Sequence, residues 1–145
     1  MHRSIGRRLA GAALVALLAG PAFASPASAQ ARCQAPDAPG WRSCLSASHR
    51  TTDGGQAMLL TKVRPRLVVR HEDGCPNGTG RRAVVIRTDD GTRLGRASVR
   101  SHCRRGVARY DATLRLDVEL EQGTIVRSYW SGIPDGRSAP GVELD

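Results

Sequence analysis

From Ala108 to Glu121 every second side chain is apolar. Ala108, Tyr110, Ala112, Leu114, Leu116, Val118 and Leu120 alternate with Arg109, Asp111, Thr113, Arg115, Asp117, Glu119 and Glu121. On a helix these apolar residues would scatter around the circumference. On a strand, whose successive side chains point to opposite faces, they line one side. Residues 107–121 therefore read as a strand with one buried and one wet face, as in an antiparallel sheet laid over a core.

Other segments follow the same rule. Residues 63–69 put Val63, Leu67 and Val69 on one face and Lys62, Arg64, Arg66 and Arg70 on the other. Pro65 has no N–H to give to a ladder, so this strand is expected at an edge or bent there. Residues 82–88 (RAVVIRT) are largely β-branched, Asp89-Asp90-Gly91-Thr92 carries loop residues, and a return strand is expected over 93–102. Pairing Thr88 with Arg93 sets Val84 opposite Ala97 and Arg82 opposite Val99. Val84, Ile86, Ala97 and Val99 then share the core face, and Arg87, Arg96, Ser98 and Arg100 the other. Glu121-Gln122-Gly123 suits a three-residue hairpin loop that sets Val118 opposite Val126, Leu114 opposite Trp130 and Asp117 opposite Arg127. A two-residue loop would instead turn Arg127 inward beside Val118, a costly burial of charge.

Residues 30–57 read as an irregular N-terminal segment closed by a disulfide. Residues 58–131 form the antiparallel β domain, and residues 132–145, rich in Gly and Pro, form a loose tail. The expected fold class is all-β: a small, disulfide-stapled antiparallel sandwich or barrel of about five to seven strands.

Cys33, Cys44, Cys75 and Cys103 permit three disulfide pairings. Cys33–Cys44 closes a short loop containing Pro36, Pro39 and Gly40. The register of the 82–102 hairpin carries Cys103 opposite residue 78, near Cys75, so Cys75–Cys103 is the second expected pair. A rival zinc site would recruit His71 and His102, but neither lies at the spacing of a C-x-x-C knuckle. No metal or other cofactor is expected, and His49, His71 and His102 read as surface residues.

The N-terminus sets the compartment. Arg3, Arg7 and Arg8 precede an apolar run from Leu9 to Ala19, then Gly20-Pro21, then the small residues Ala27-Ser28-Ala29. That order is a secretory signal over residues 1–29. The run is too short to span a bilayer, which takes roughly 20 residues. No later stretch is apolar enough to anchor the chain, so the protein is expected to be secreted and free of the membrane. An even number of cysteines in a small exported chain fits an oxidising compartment. The wealth of Arg, Ala and Gly points to a GC-rich, bacterial coding sequence.

From Gln30 onward the chain holds 19 basic and 13 acidic residues, and Lys62 is the one lysine. The charge is uneven: residues 62–109 hold 13 basic and 4 acidic residues, and residues 110–145 hold 3 and 7. Arg64, Arg66, Arg70, Arg87, Arg96 and Arg100 fall on wet strand faces and are the candidate polyanion-binding set. The competing reading is a solvated face that keeps sheet edges unpaired.

Motifs for chemistry are missing. The chain has no G-x-S-x-G, no H-E-x-x-H and no phosphate-binding glycine loop. Asp89-Asp90 is explained by its loop, Asp117, Glu119 and Glu121 by an exposed strand face, and Asn77-Gly78-Thr79 by a turn. Beyond Gln30 the aromatic residues are Trp41, Tyr110, Tyr129 and Trp130. Two of these point inward, too few remaining for a base- or sugar-stacking platform. The sequence therefore reads as a secreted, non-enzymatic binding protein whose partner is an extracellular anionic polymer or another secreted protein. Two alternatives stand beside it. One is an inhibitor of a secreted hydrolase acting through loop 34–43 or 76–80; in size and cysteine count the chain is similar to the secreted subtilisin-type protease inhibitors. The other is an enzyme whose site is assembled only in three dimensions.

Overall fold

A computed structural model of the protein describes residues 28–34, 40–52, 54–76, 79–133 and 139–145. The secretory signal expected over 1–29 lies outside the described residues except for its last two positions. Nine strands follow one another with no helix among the described residues: β1 (Ser28–Gln34), β2 (Trp41–Thr51), β3 (Ala57–Arg70), β4 (Thr79–Thr88), β5 (Arg93–Arg104), β6 (Val107–Asp111), β7 (Leu114–Glu121), β8 (Ile125–Trp130) and β9 (Gly141–Glu143). They run β1-β2-β3-β6-β5-β4-β8-β9 around a nearly closed antiparallel barrel, with β7 also paired to β3. Closure comes from the chain end, where the Asp145 side chain accepts from Gln30 and its main-chain oxygen lies 3.2 Å from His49 Nε2.

The all-β class is as expected, with more strands than anticipated. Part of the excess lies in 30–57, which is not irregular: its alternation supplies β1 and β2, and Leu45 and Ala47 enter the core. The C-terminal stretch is not loose either. Within it β9 pairs with β8, and Val142 and Leu144 are fully buried. Gly and Pro obscure a segment that docks through its own buried Val142 and Leu144.

The expected strand 107–121 is interrupted, and Pro65 is the reason. β3 is no edge strand, since it lies between β2 on one side and β6 and β7 on the other. Ala112 donates its N–H to the Pro65 carbonyl at 3.1 Å. Pro65 has no N–H with which to answer, so the ladder breaks there into β6 and β7. Both pieces keep the alternation: Ala108, Tyr110 and Leu114 are buried while Arg109, Asp111, Arg115 and Glu119 are exposed.

Three other expectations change at turns. The β4–β5 hairpin keeps Val84 opposite Ala97 and Arg82 opposite Val99, but a bulge near the loop pairs Arg93 with Arg87 rather than Thr88. β7 and β8 form no hairpin ladder. Thr124 N–H does bond the Glu121 carbonyl and Gly123 has φ +84°, yet β7 pairs with β3 and β8 with β4 and β9. Asp117 sits in a bulge with φ +48°, away from any ladder with Arg127. The turn Arg105-Gly106 joins β5 to β6 with both residues left-handed, at φ +53° and +75°. This geometry matches the twist of a two-residue hairpin and is tolerated best by Gly at its second position.

The core is one cluster built around Leu45, Leu60, Val63, Leu67, Val84, Ile86, Val126 and Val142, all fully buried. Tyr110 and Trp130 add a tilted ring pair with centroids 6.2 Å apart. The disulfides Cys33–Cys44 and Cys75–Cys103 are the two expected pairs. With all four thiols so engaged, the zinc alternative has no cysteine ligands. His49 is fully buried rather than on the surface.

A candidate polyanion face

Three strands of the barrel, β4, β5 and β8, contain eight arginines and no aspartate or glutamate. Alternation decides which of them face outward. Core-facing Val84, Ile86, Ala97 and Val99 leave Arg81, Arg87, Arg93, Arg96, Arg100 and Arg104 on the outer face, all exposed. The register then sets like charges side by side: Arg81 opposite Arg100, Arg87 opposite Arg93 on one side, and Arg87 opposite Arg127 on the other. Side chains directly opposite across an antiparallel pair are about 5 Å apart at Cβ, and like charges there are destabilising.

The six arginines singled out from the sequence separate into two groups. Arg87, Arg96 and Arg100 lie on the β4–β5 ladder. Arg64, Arg66 and Arg70 lie on β3, and β6 stands between β3 and β5 in the strand order. The β3 group is in mixed company. Arg66 forms an ion pair with Asp111, and farther along the strand β7 sets Arg115 opposite Lys62 and Glu119 and Glu121 opposite Leu59 and Ala57. What separates β4, β5 and β8 is that their ladders set arginine against arginine and none of the three strands contains a carboxylate.

Arg81, Arg93, Arg104 and Arg127 join the face although the sequence reading did not single them out. Arg81 was open to detection, because the same register that pairs Val84 with Ala97 pairs Arg81 with Arg100. Arg127 was hidden, because a β7–β8 hairpin would have given it Asp117 as a partner. Half-buried, it donates instead to the Ala139 carbonyl at 3.2 Å.

The ends of the face are built differently. At the β4–β5 loop Asp90 accepts from the Thr88 hydroxyl and from Thr92 N–H at 3.0 Å. These bonds hold its carboxyl below the ordinary carboxylate range. Asp90 is thereby committed to the loop and not to the arginines. At the other end Arg82, on the inner side of β4, lays its guanidinium over the Tyr110 ring at 5.5 Å and donates to the Ser131 carbonyl at 2.5 Å. No group of three or more His, Cys, Asp or Glu arranged to hold a metal occurs among the described residues. The inhibitor alternative turns on loops 34–43 and 76–80, whose central residues 35–39 and 77–78 lie outside the described residues.

No family model matches the chain, and no curated protein matches it in sequence. Among solved structures it is similar to the variable (V) domain of the AgI/II polypeptide BspA of Streptococcus agalactiae. The identity is 14%, covering 90% of this chain and 94% of that one, with a TM-score of 0.30. A likeness of that degree settles neither the fold nor the function of this chain.

Proposed function

We propose that the protein is a secreted, non-enzymatic binding protein that holds an extracellular anionic polymer against the outward face of β4, β5 and β8. The observation that carries this reading is the trio of arginine–arginine oppositions on strands without one carboxylate. Each opposition costs about 0.2–1 kcal/mol relative to a neutral pair. A surface needed only for solubility is better served by interspersed signs; the β3 side has the Arg66–Asp111 pair and one like-charge opposition, Lys62 with Arg115. A one-sign field on a rigid sheet attracts and orients a polyanion. The export reading rests on the leader-like residues 1–29 and on four cysteines all held in disulfides.

The test compares two triple variants of equal charge change on immobilised heparin. Arg87→Ser/Arg96→Ser/Arg100→Ser removes three arginines from β4 and β5, and Arg64→Ser/Arg66→Ser/Arg70→Ser removes three from β3. The first is expected to elute at much lower salt than the unmodified protein, the second close to it. Equal displacement of both would show that net charge alone is being read and would overturn the assignment to this face. No retention of the unmodified protein at low salt would overturn the polymer reading altogether.

A further inference from the structure

At the end of the arginine face, beside the Arg81–Arg100 pair, the barrel opens into a cleft of about 360 Å³. Its walls include Arg82, Arg81, His71, Tyr110, Ser101 and Ser131, and its described lining contains no carboxylate. Two glycines make the room. A Cβ at Gly80 would collide with the Tyr110 hydroxyl, and one at Gly132 would lie 2.5 Å from an Arg82 terminal nitrogen.

Arg82 is under-satisfied where it sits. Of its five N–H donors, the bond to the Ser131 carbonyl uses one. Its Nε is buried without an acceptor. The Tyr110 ring supplies cation–π contact, which attracts the charge but accepts no conventional hydrogen bond. A half-buried guanidinium with spare donors, in a cleft whose described lining holds no carboxylate, is suited to bidentate recognition of an oxyanion. A volume of this size, at the small end for ligand sites, accommodates one such group rather than a length of polymer.

We propose that this cleft is a subsite for a single tetrahedral oxyanion, a sulfate or phosphate ester, with Arg82 as its principal ligand and Arg81 and His71 at its mouth. The inference deepens the polyanion reading and rests on it for biological meaning. It makes the ester group, and not charge density alone, part of what is recognised.

The Arg82 side chain supplies its own probe, because a buried Nε–H is shielded from rapid exchange and is followed by ¹H–¹⁵N NMR. Inorganic sulfate and inorganic phosphate are titrated separately into labelled protein at constant ionic strength, with acetate as a third arm. The expected result is a saturable shift of the Arg82 Nε–H resonance with sulfate, phosphate or both, with an apparent Kd of about millimolar order, and little response to acetate. Whichever of the two anions gives the tighter curve identifies the ester class. His71→Glu, which puts a carboxylate at the mouth and leaves the Arg82 contacts in place, is expected to weaken the response at least tenfold. An unmoved resonance, a shift that grows linearly without saturating, or one that His71→Glu leaves intact would overturn the subsite. Heparin retention reports separately. Retention lost in the Arg87/Arg96/Arg100 variant with no Arg82 response keeps the face and removes the subsite. A saturable response without retention keeps the subsite and removes the polymer.

Discussion

Single residues in this barrel are placed by what their main-chain groups can and cannot do. Pro65 is fully buried on a central strand, and the missing N–H of that one residue divides a continuous alternating segment into β6 and β7. Asp90 works through its side chain in the opposite sense, capping a loop with bonds from Thr88 and Thr92. Those bonds favour the carboxylate, so its folded pKa lies below the ordinary 3.8. The stability it contributes is therefore present above the unfolded pKa and lost as the pH falls through the lower folded value. Asp90→Asn is expected to flatten the acid limb of a plot of urea midpoint against pH below about pH 4 and to leave the limb near neutrality parallel to that of the unmodified protein. An unchanged acid limb would mean that the loop bonds do not discriminate between the charged and neutral forms.

At the scale of elements, β9 shows how a short strand is held by its side chains. It contributes three residues to a ladder with β8, but Val142 and the following Leu144 are fully buried. Leu144→Ala is expected to cost about 2–5 kcal/mol in denaturant unfolding, as for other buried leucines. A loose tail would show less than about 0.5 kcal/mol. The β4–β5 ladder carries the reverse expectation. Replacing Arg100 by Thr relieves the opposition with Arg81 and adds a β-branched side chain. That change is expected to stabilise the domain by about 0.2–1 kcal/mol at low ionic strength, with the gain shrinking as salt screens the pair. Stabilisation together with loss of heparin retention is the signature of charge kept for binding at the expense of stability. Much of this ladder was legible beforehand, since Val84–Ala97 and Arg82–Val99 follow from alternation and one loop. The β3 arginines looked equivalent in sequence, because a period-two pattern reports which face a residue takes and not which strand lies beside it.

Across the whole molecule, two covalent links bind the barrel at separate places. Cys33–Cys44 joins β1 to β2 across a sequence separation of 11, and Cys75–Cys103 joins the segment before β4 to β5 across 28. If the links act mainly by restricting the unfolded chain, each contributes about 2–4 kcal/mol, with the longer loop worth roughly 0.8 kcal/mol more. Paired Cys→Ser variants are expected to lose stability in that order by urea unfolding. A larger loss from the Cys33/Cys44 pair would show that docking of β1 in the folded state outweighs chain entropy. The barrel's charge is divided by strand: β4, β5 and β8 carry eight arginines and no carboxylate, while β3, β6 and β7 together mix signs. The proposed binding face rests on that division and not on a uniformly basic surface.

Alternation and cysteine arithmetic were enough, on the sequence alone, to give the all-β class, both disulfide pairs and the inward or outward sense of the residues in the segments read as strands between 63 and 130. These are local or near-neighbour properties, set by a side-chain period of two and by short loop closures. Which strands became neighbours was decided only in three dimensions. β7 left β8 for β3, the C-terminal segment closed the barrel, and Arg127 came to lie beside Arg87 instead of an aspartate. Those pairings depend on how a twisted sheet curls to bury apolar faces far apart in the chain, a long-range packing result that no window of sequence contains.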